Sequence, residues 1–105
     1  MHPTRHTQLE AQGWRVGSVA EFLDLTPEEA LLVEMRLALS DLLRSRREQR
    51  MTQVELADRL AVSPEQIVTA EAGDGTVEIE WLLRAILTVG ATPEEIGAAI
   101  ARVQR

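Results

Sequence analysis

The stretch that most strongly limits what this chain can fold into is Met51 to Gly73, with the sequence MTQVELADRLAVSPEQIVTAEAG. It predicts two short helices joined by a tight turn, with Thr52 capping the first and Ser63 starting the second. Gly73 is expected to end the second helix. Two helices of this length cannot bury enough apolar surface alone, so the flanking segments must complete the core. The residues predicted to face inward are Val54, Leu56, Ala57, Leu60, Ile67 and Ala70.

The composition favours a single all-helical domain. Ala and Leu are abundant, and the only aromatic residues are Trp14, Phe22 and Trp81. The 105 residues suffice for one core, but not for a core with an elaborate active-site cleft. The absence of cysteine excludes disulfides, thiolate metal sites and thiol nucleophiles. No apolar run approaches the length that spans a bilayer, so we expect a cytoplasmic protein.

The helix starts are marked by a repeated pattern of a capping residue, proline, glutamate, and glutamate or glutamine. Carboxylates at such starts interact favourably with the helix dipole, so much of the acidity is explained by helix entry. We expect a long helix to about residue 50, a helix from about residue 79 to 89 ended by Gly90, and a last helix after it. The three occurrences are Thr26-Pro27-Glu28-Glu29, Ser63-Pro64-Glu65-Gln66 and Thr92-Pro93-Glu94-Glu95.

Several spaced positions of the motif together carry a family resemblance. They are Met51-Thr52-Gln53, Glu55-Leu56-Ala57, Leu60-Ala61-Val62-Ser63, Ile67 and Glu71-Ala72-Gly73, followed by GDGTVEIEWLLRAILTVGATPEEIGAAI. This pattern resembles the helix-turn-helix of the Cro and lambda-repressor (Xre) family of DNA-binding regulators, over roughly Glu28 to Ala99. The whole chain is similar to small bacterial Xre-type proteins, including antitoxins of the host-inhibition-of-growth type.

The resemblance implies a fold and a division of the chain. The expected fold is all-α, a five-helix lambda-repressor-like helix-turn-helix domain over residues 26–105, with a short N-terminal helical extension over residues 1–25 that packs on it. The family turn commonly has glycine where this chain has Ala61, so we expect an L-residue in a strained turn. Dimers of the family usually form near the last helices, where Gly97, Ala98 and Ala101 allow close helix approach, and we therefore expect a homodimer.

The distribution of charge suggests where DNA would bind. The net charge is −6, but residues 1–43, 44–59 and 60–105 carry −4, +2 and −4. The positive segment leads into the first motif helix, which in the family lies against the DNA backbone. The arginines predicted to contact phosphates are therefore Arg46, Arg47 and Arg50. The resemblance implies a further backbone contact by Gln53, to which Thr52 adds its hydroxyl. The alternative is that the arginines only stabilise a helix C-terminus and add solubility, and that Thr52 only caps a helix.

The second motif helix is the element that would read bases in the major groove. Its predicted base contacts are Gln66 to adenine, Glu65 to the cytosine amino group and Thr69 to a thymine methyl. Each residue also has a purely structural interpretation, since Glu65 and Gln66 serve the helix start and Thr69 faces solvent. The helix has no positively charged residue, and Glu65 close to phosphates would weaken DNA affinity.

We interpret the chain as a sequence-specific DNA-binding transcriptional regulator that acts by operator occupancy. The alternative hypothesis is a protein-interaction module, such as an antitoxin that covers a toxin-like protein, or a relative that has lost DNA reading. Trp81 is either a core residue or an exposed anchor for a partner. No metal site is expected, because His2 and His6 lack a third ligand and are interpreted as solvated tail residues. No cofactor or catalytic set is expected either, since the adjacent pairs Glu28-Glu29 and Glu94-Glu95 diverge around a helix and cannot face one substrate.

Overall fold

The structure is a computed structural model that describes residues 24–103. This range contains five α-helices and no strand, which confirms the all-α five-helix prediction. The predictions for His2, His6 and residues 1–23 of the extension lie outside the described residues. No helix between residues 24 and 103 has the length and apolar character needed to cross a membrane. The helices are α1 (Pro27–Arg50), α2 (Gln53–Leu60), α3 (Pro64–Glu71), α4 (Ile79–Thr88) and α5 (Pro93–Ala101).

The described residues fall into two compact units, and the boundary between them lies inside α1, after Glu34. In the first unit, α1 begins with a reciprocal pair of hydrogen bonds. The Glu29 N–H donates to the Thr26 hydroxyl at 3.1 Å, and the Thr26 N–H donates to the Glu29 carboxylate at 2.9 Å. The second unit contains the remainder of α1 and the other four helices, including the predicted motif.

Capping chemistry fixes most of the helix starts in the second unit. The same reciprocal pair of bonds is present at three helix starts, which confirms the predicted caps. The start of α4 differs, because Glu78 occupies the capping position without a capping bond from its side chain. The capping boxes are Thr52 with Glu55, Ser63 with Gln66, and Thr92 with Glu95.

The core of the second unit is an aliphatic cluster to which α1 to α4 and the turn before α5 contribute. Val54, predicted to face inward, is instead 56% exposed. With about 100° of rotation per residue, Val54 lies about 200° from Leu56 around α2, on the side away from the core. Ile79, the first residue of α4, is 46% exposed. The buried cluster comprises Leu39, Leu43, Leu56, Ala57, Ile67, Ala70, Leu82, Ala85, Ile86, Val89 and Ala91.

Three residues with positive φ shape the turns around the motif. Ala61, between α2 and α3, has φ 59° and ψ 44°, which confirms an L-residue in the left-handed conformation there. Gly73 ends the motif with φ 81°, and Gly90 ends α4 with φ 96°. A Cβ atom on Gly73 would lie 2.5 Å from a methyl carbon of Leu37, so both backbone conformation and space favour glycine there.

Candidate nucleic-acid interface

The two motif helices pack against each other and present one end of α3 to solvent. Leu56 and Ala57 of α2 and Ile67 of α3 are all buried in the core. Ala57 is buried, as the sequence predicts. Pro64 and Glu65 at the start of α3 are exposed. The helix pair therefore leaves the first turn of α3 accessible to a large ligand.

A buried ion pair holds this helix pair to α1. The Arg47 guanidinium donates twice to the Glu71 carboxylate, and its second bond measures 3.0 Å. Arg47 also donates to the Met51 carbonyl at 3.2 Å, and the Gln53 side-chain amide donates to Glu71 at 3.1 Å. The Arg47 and Glu71 side chains are only 10% and 5% exposed. Glu71 therefore connects the end of α1, the start of α2 and the end of α3.

The electrostatics of this pair explain how a charge is tolerated at this depth. The hydrogen bonds from Arg47 to Glu71 raise the pKa of Arg47, while burial acts in the opposite direction and the charges of Glu71 and Glu48 add to the increase. The guanidinium therefore stays protonated in the interior. Because its planar fork matches a carboxylate, arginine suits this position better than lysine.

Arg46 and Arg50, both on α1, contact the corner between α4 and α5. Arg46 forms an ion pair with Glu95 and donates to the Gly90 carbonyl at 3.4 Å. The Arg50 guanidinium lies against Gly90, since a Cβ atom on that glycine would be 2.8 Å from the Arg50 Cζ. Arg46 and Arg50 thus help to hold the α4–α5 corner against α1.

The predicted phosphate contacts therefore differ in whether their side chains already have a partner within the protein. Arg46 and Arg47 have internal carboxylate partners, Gln53 commits its amide to Glu71, and the Thr52 hydroxyl accepts the Glu55 N–H at 3.1 Å. Arg50 is exposed and forms no ion pair among residues 24–103. Phosphate binding by these five residues stays a prediction, and Arg46 and Arg47 would have to release a carboxylate to fulfil it.

The predicted base-reading residues all lie on α3, with Glu65 and Gln66 exposed and Thr69 half-buried. The side-chain oxygen of Gln66 accepts the Ser63 N–H at 3.2 Å, and the Thr69 hydroxyl donates to the Glu65 carbonyl at 2.9 Å. The Gln66 side-chain NH2 and the Glu65 carboxylate form no hydrogen bond to another described residue. These groups, with the Thr69 methyl, are the ones that remain for contact with a ligand.

A groove lies beside this face of α3, and the sequence alone does not indicate it. Its volume is about 370 Å³, and it runs between α3 and the first turn of α4. Trp81, half-buried and packed at the margin of the core, forms part of its wall. Trp81 thus packs against the core while remaining partly accessible, and its role as an anchor for a partner stays a prediction. The lining residues are Gln66, Thr69, Thr76, Val77, Glu78 and Trp81.

The loop that forms one side of the groove is held by hydrogen bonds. Arg36 donates to the Val77 carbonyl. The Asp74 carboxylate accepts the Thr76 N–H at 2.8 Å and the Thr76 hydroxyl at 2.6 Å. These two bonds lower the pKa of Asp74, and the charge of Arg36 acts in the same direction. Asp74 is therefore ionised at neutral pH.

No protein-family model, curated protein or solved structure matches this chain. In residues 24–103, no three His, Asp or Glu side chains are grouped closely enough to hold a metal ion.

Proposed function

We propose that this protein is a non-catalytic, sequence-specific DNA-binding regulator that acts by operator occupancy as a homodimer. The observation that carries the proposal is the exposed first turn of α3, supported on a helix pair that is anchored in the core through the buried Leu56, Ala57, Ile67 and Ala70. An α-helix is about 10–12 Å wide with its side chains, which matches the major groove of about 12 Å. Pro64, Glu65 and Gln66 form the accessible turn that would enter the groove.

The free groups of α3 determine the proposed base contacts. The Gln66 NH2 can donate to adenine N7, and its oxygen can accept from adenine N6 once the Ser63 bond at 3.2 Å is released. The Glu65 carboxylate accepts from a cytosine amino group, and the Thr69 methyl contacts a thymine methyl. Of these residues, Gln66 is proposed to contribute most to sequence preference, because it alone offers a paired donor and acceptor.

The DNA backbone would be held by a small number of groups. Since Arg46 and Arg47 are committed internally, we assign the main phosphate contact to Arg50, with Thr52 and Gln53 as uncharged neighbours. One phosphate neutralised per protomer corresponds to a slope of about −2 for a dimer in a plot of log affinity against log salt. The proposed regulator therefore binds DNA with unusually weak salt dependence.

The dimer is proposed to use an apolar row on α4. Ile79, Leu83 and Leu87 recur every four residues, and Ile79 and Leu87 are 46% and 48% exposed. Residues at this spacing lie along one side of a helix and form a ridge that can pack into a second copy. Leu87→Lys should convert the dimer to a monomer in analytical ultracentrifugation, whereas Val54→Lys, at an exposed site on α2, should not.

The proposal is tested by fluorescence anisotropy with duplex DNA from the upstream region of the gene and a scrambled duplex of the same composition, across a salt series. We expect preference for the upstream duplex, loss of that preference in Gln66→Ala, and loss of nearly all salt dependence in Arg50→Ala. Arg102→Ala, at the exposed C-terminal end of α5, is the matched charge control. Equal binding of both duplexes at low salt would refute the proposal.

A second candidate function, a protein-interaction module such as a toxin-neutralising antitoxin, is favoured by one observation. Residues 64–81, which include α3 and the groove, contain five acidic residues and no basic residue. If a neighbouring gene encodes a small basic protein, its co-purification with this chain as a complex of defined stoichiometry would support this function.

A further inference from the structure

We propose that the groove beside α3 receives the lysine or arginine side chain of a protein partner. The inference goes beyond operator binding. Its first part, that the groove binds a basic side chain, does not depend on DNA binding. Its second part, that the partner competes with DNA, does. A volume of about 370 Å³ lies in the range of small-ligand sites, and one long side chain can occupy part of it.

The groove is formed in advance by its own hydrogen bonds. The Arg36 bond to the Val77 carbonyl fixes one wall, and the Asp74 bonds to Thr76 fix the loop that leads to it. A site that is already ordered loses less conformational entropy when a ligand binds. The groove is therefore suited to capture a side chain without rearrangement of the loop.

The lining offers the groups that recognise a long cationic side chain. Trp81 and Val77 provide an apolar wall for the methylene stem, and an indole ring also attracts a cation at its face. Glu78 provides a carboxylate, and its side chain forms no bond to the helix start that it occupies. An aromatic wall and an uncommitted carboxylate in one groove are complementary to guanidinium or ammonium.

The local charges favour a cation over a phosphate group. Four carboxylates are associated with the groove: one lines it, two belong to sequence neighbours of lining residues, and one accepts hydrogen bonds from the lining residue Thr76. Among residues 24–103, none of the four belongs to an ion pair. The opposing charges are Arg36 and the N-terminus of α4, which contributes about half a positive charge. Because the net charge remains negative, a DNA phosphate is repelled from this groove. The four carboxylates are Glu65, Asp74, Glu78 and Glu80.

A protein side chain fits the surroundings better than a free polyamine does. Val68, which is 50% exposed, is the sequence neighbour of the lining residue Thr69. A protein partner can cover this apolar side chain, whereas a polyamine cannot. The proposed occupant is therefore a basic residue within a partially apolar protein segment.

Occupation of the groove would also affect DNA reading. Gln66 and Thr69 line the groove and belong to the proposed base-reading face. A partner in the groove and DNA on α3 would compete for these side chains. This second part rests on the proposed function, and it makes the partner an antagonist of operator binding.

The first part is tested by two-dimensional ¹⁵N–¹H NMR titration of the full chain with the capped peptide Gly-Leu-Arg-Leu-Gly. We expect saturable shifts of the Trp81 indole N–H and of the Thr69 and Thr76 amides, with Trp81→Phe used to assign the indole signal. The peptide with citrulline in place of arginine, which is nearly isosteric and uncharged, should bind roughly tenfold more weakly. Glu78→Gln should weaken arginine-peptide binding roughly fivefold, whereas Glu94→Gln on α5 should not.

Equal affinity for the arginine and citrulline peptides, or equal effects of Glu78→Gln and Glu94→Gln, would overturn the proposal. Spermidine that binds as tightly as the peptide with the same shifts would overturn the assignment to a protein partner. Competition is measured separately, as displacement of the upstream duplex by the peptide. Failure of that measurement alone would remove the antagonism, and failure of DNA binding alone would leave the peptide result intact.

Discussion

The buried Arg47–Glu71 pair provides the sharpest test of how this fold is held together. Glu71→Ala removes an acceptor of two hydrogen bonds from Arg47 and one from Gln53. It also leaves the Arg47 charge in a site where the side chain is only 10% exposed. Removing one partner of such a pair costs about 3–5 kcal/mol, because the remaining charge loses its carboxylate partner in a site that is largely shielded from water.

A loss of this size is large for a domain of this length. Stabilities of about 0.05–0.15 kcal/mol per residue give roughly 4–12 kcal/mol for the described range. Each kcal/mol corresponds to about 4–8 °C in Tm for a domain of this size. Glu71→Ala should therefore lower the Tm by at least roughly 12 °C, or prevent folding at room temperature. The assay is thermal unfolding followed by circular dichroism at 222 nm, a standard helix signal.

Two controls separate the buried charge from a general effect of losing an ion pair. Glu95→Ala removes the partner of Arg46 in a pair whose side chains are 25% and 37% exposed, so its cost should be about 1 kcal/mol or less. The double variant Arg47→Met with Glu71→Leu removes both charges and should recover most of the lost stability. If Glu71→Ala costs no more than Glu95→Ala, or if the double variant is as unstable as the single one, the reasoning is refuted.

Three further predictions concern the left-handed turn at Ala61, the buried hydroxyl of Ser40 and the exposed carboxylate of Asp74. Ala61→Gly should raise the free energy of unfolding by about 0.5–1 kcal/mol in urea denaturation, because glycine relieves the left-handed conformation; a decrease would contradict this. Ser40→Ala should stabilise by about 1 kcal/mol in the same assay, since the buried Ser40 hydroxyl has no hydrogen-bond partner among the described residues; a loss of stability would imply a partner. Thr76→Val should raise the pKa of Asp74 toward its ordinary 3.8 in a ¹³C carboxyl NMR titration. A lowered pKa of Asp74 stabilises the fold above pH 3.8, and this stabilisation is lost as the pH falls through the folded-state pKa. The variant should therefore show a weaker pH dependence of stability in that acidic range. An unchanged pKa of Asp74 would exclude the Thr76 hydroxyl as the cause of the lowering.

The helix boundaries could be predicted from the sequence because they depend on residues a few positions apart. The capping boxes at Thr52, Ser63 and Thr92 each join a residue to another three positions later, and all three form as expected. The stop at Gly73 follows from the local need for positive φ. The prediction that Val54 faces inward is wrong, because apolar character alone does not specify which side of a two-turn helix meets the core.

The partners of the arginines could not be predicted in the same way. Arg47 pairs with a residue 24 positions away, and Arg46 with one 49 positions away, so only the packing of the helices brings them together. In the sequence, Glu71 and Glu95 have the local interpretation of motif and capping residues, and Glu95 in fact fulfils both roles. A run of arginines before a helix therefore does not distinguish a phosphate site from a structural anchor.

Folding also changes what the charge distribution implies about function. Residues 44–59 carry +2 in the sequence, but Arg46 and Arg47 are each paired with a carboxylate from residues 60–105, which leaves this segment without effective excess charge. The same pairing of Glu71 leaves residues 64–81 with four uncompensated carboxylates out of five. DNA binding by this face would therefore depend on hydrogen bonds and shape more than on counterion release, which requires several lysine or arginine contacts. A steep salt dependence that survives Arg50→Ala would mean that Arg46 or Arg47 leaves its carboxylate when DNA binds, and the internal pairs would then be part of the DNA-binding mechanism.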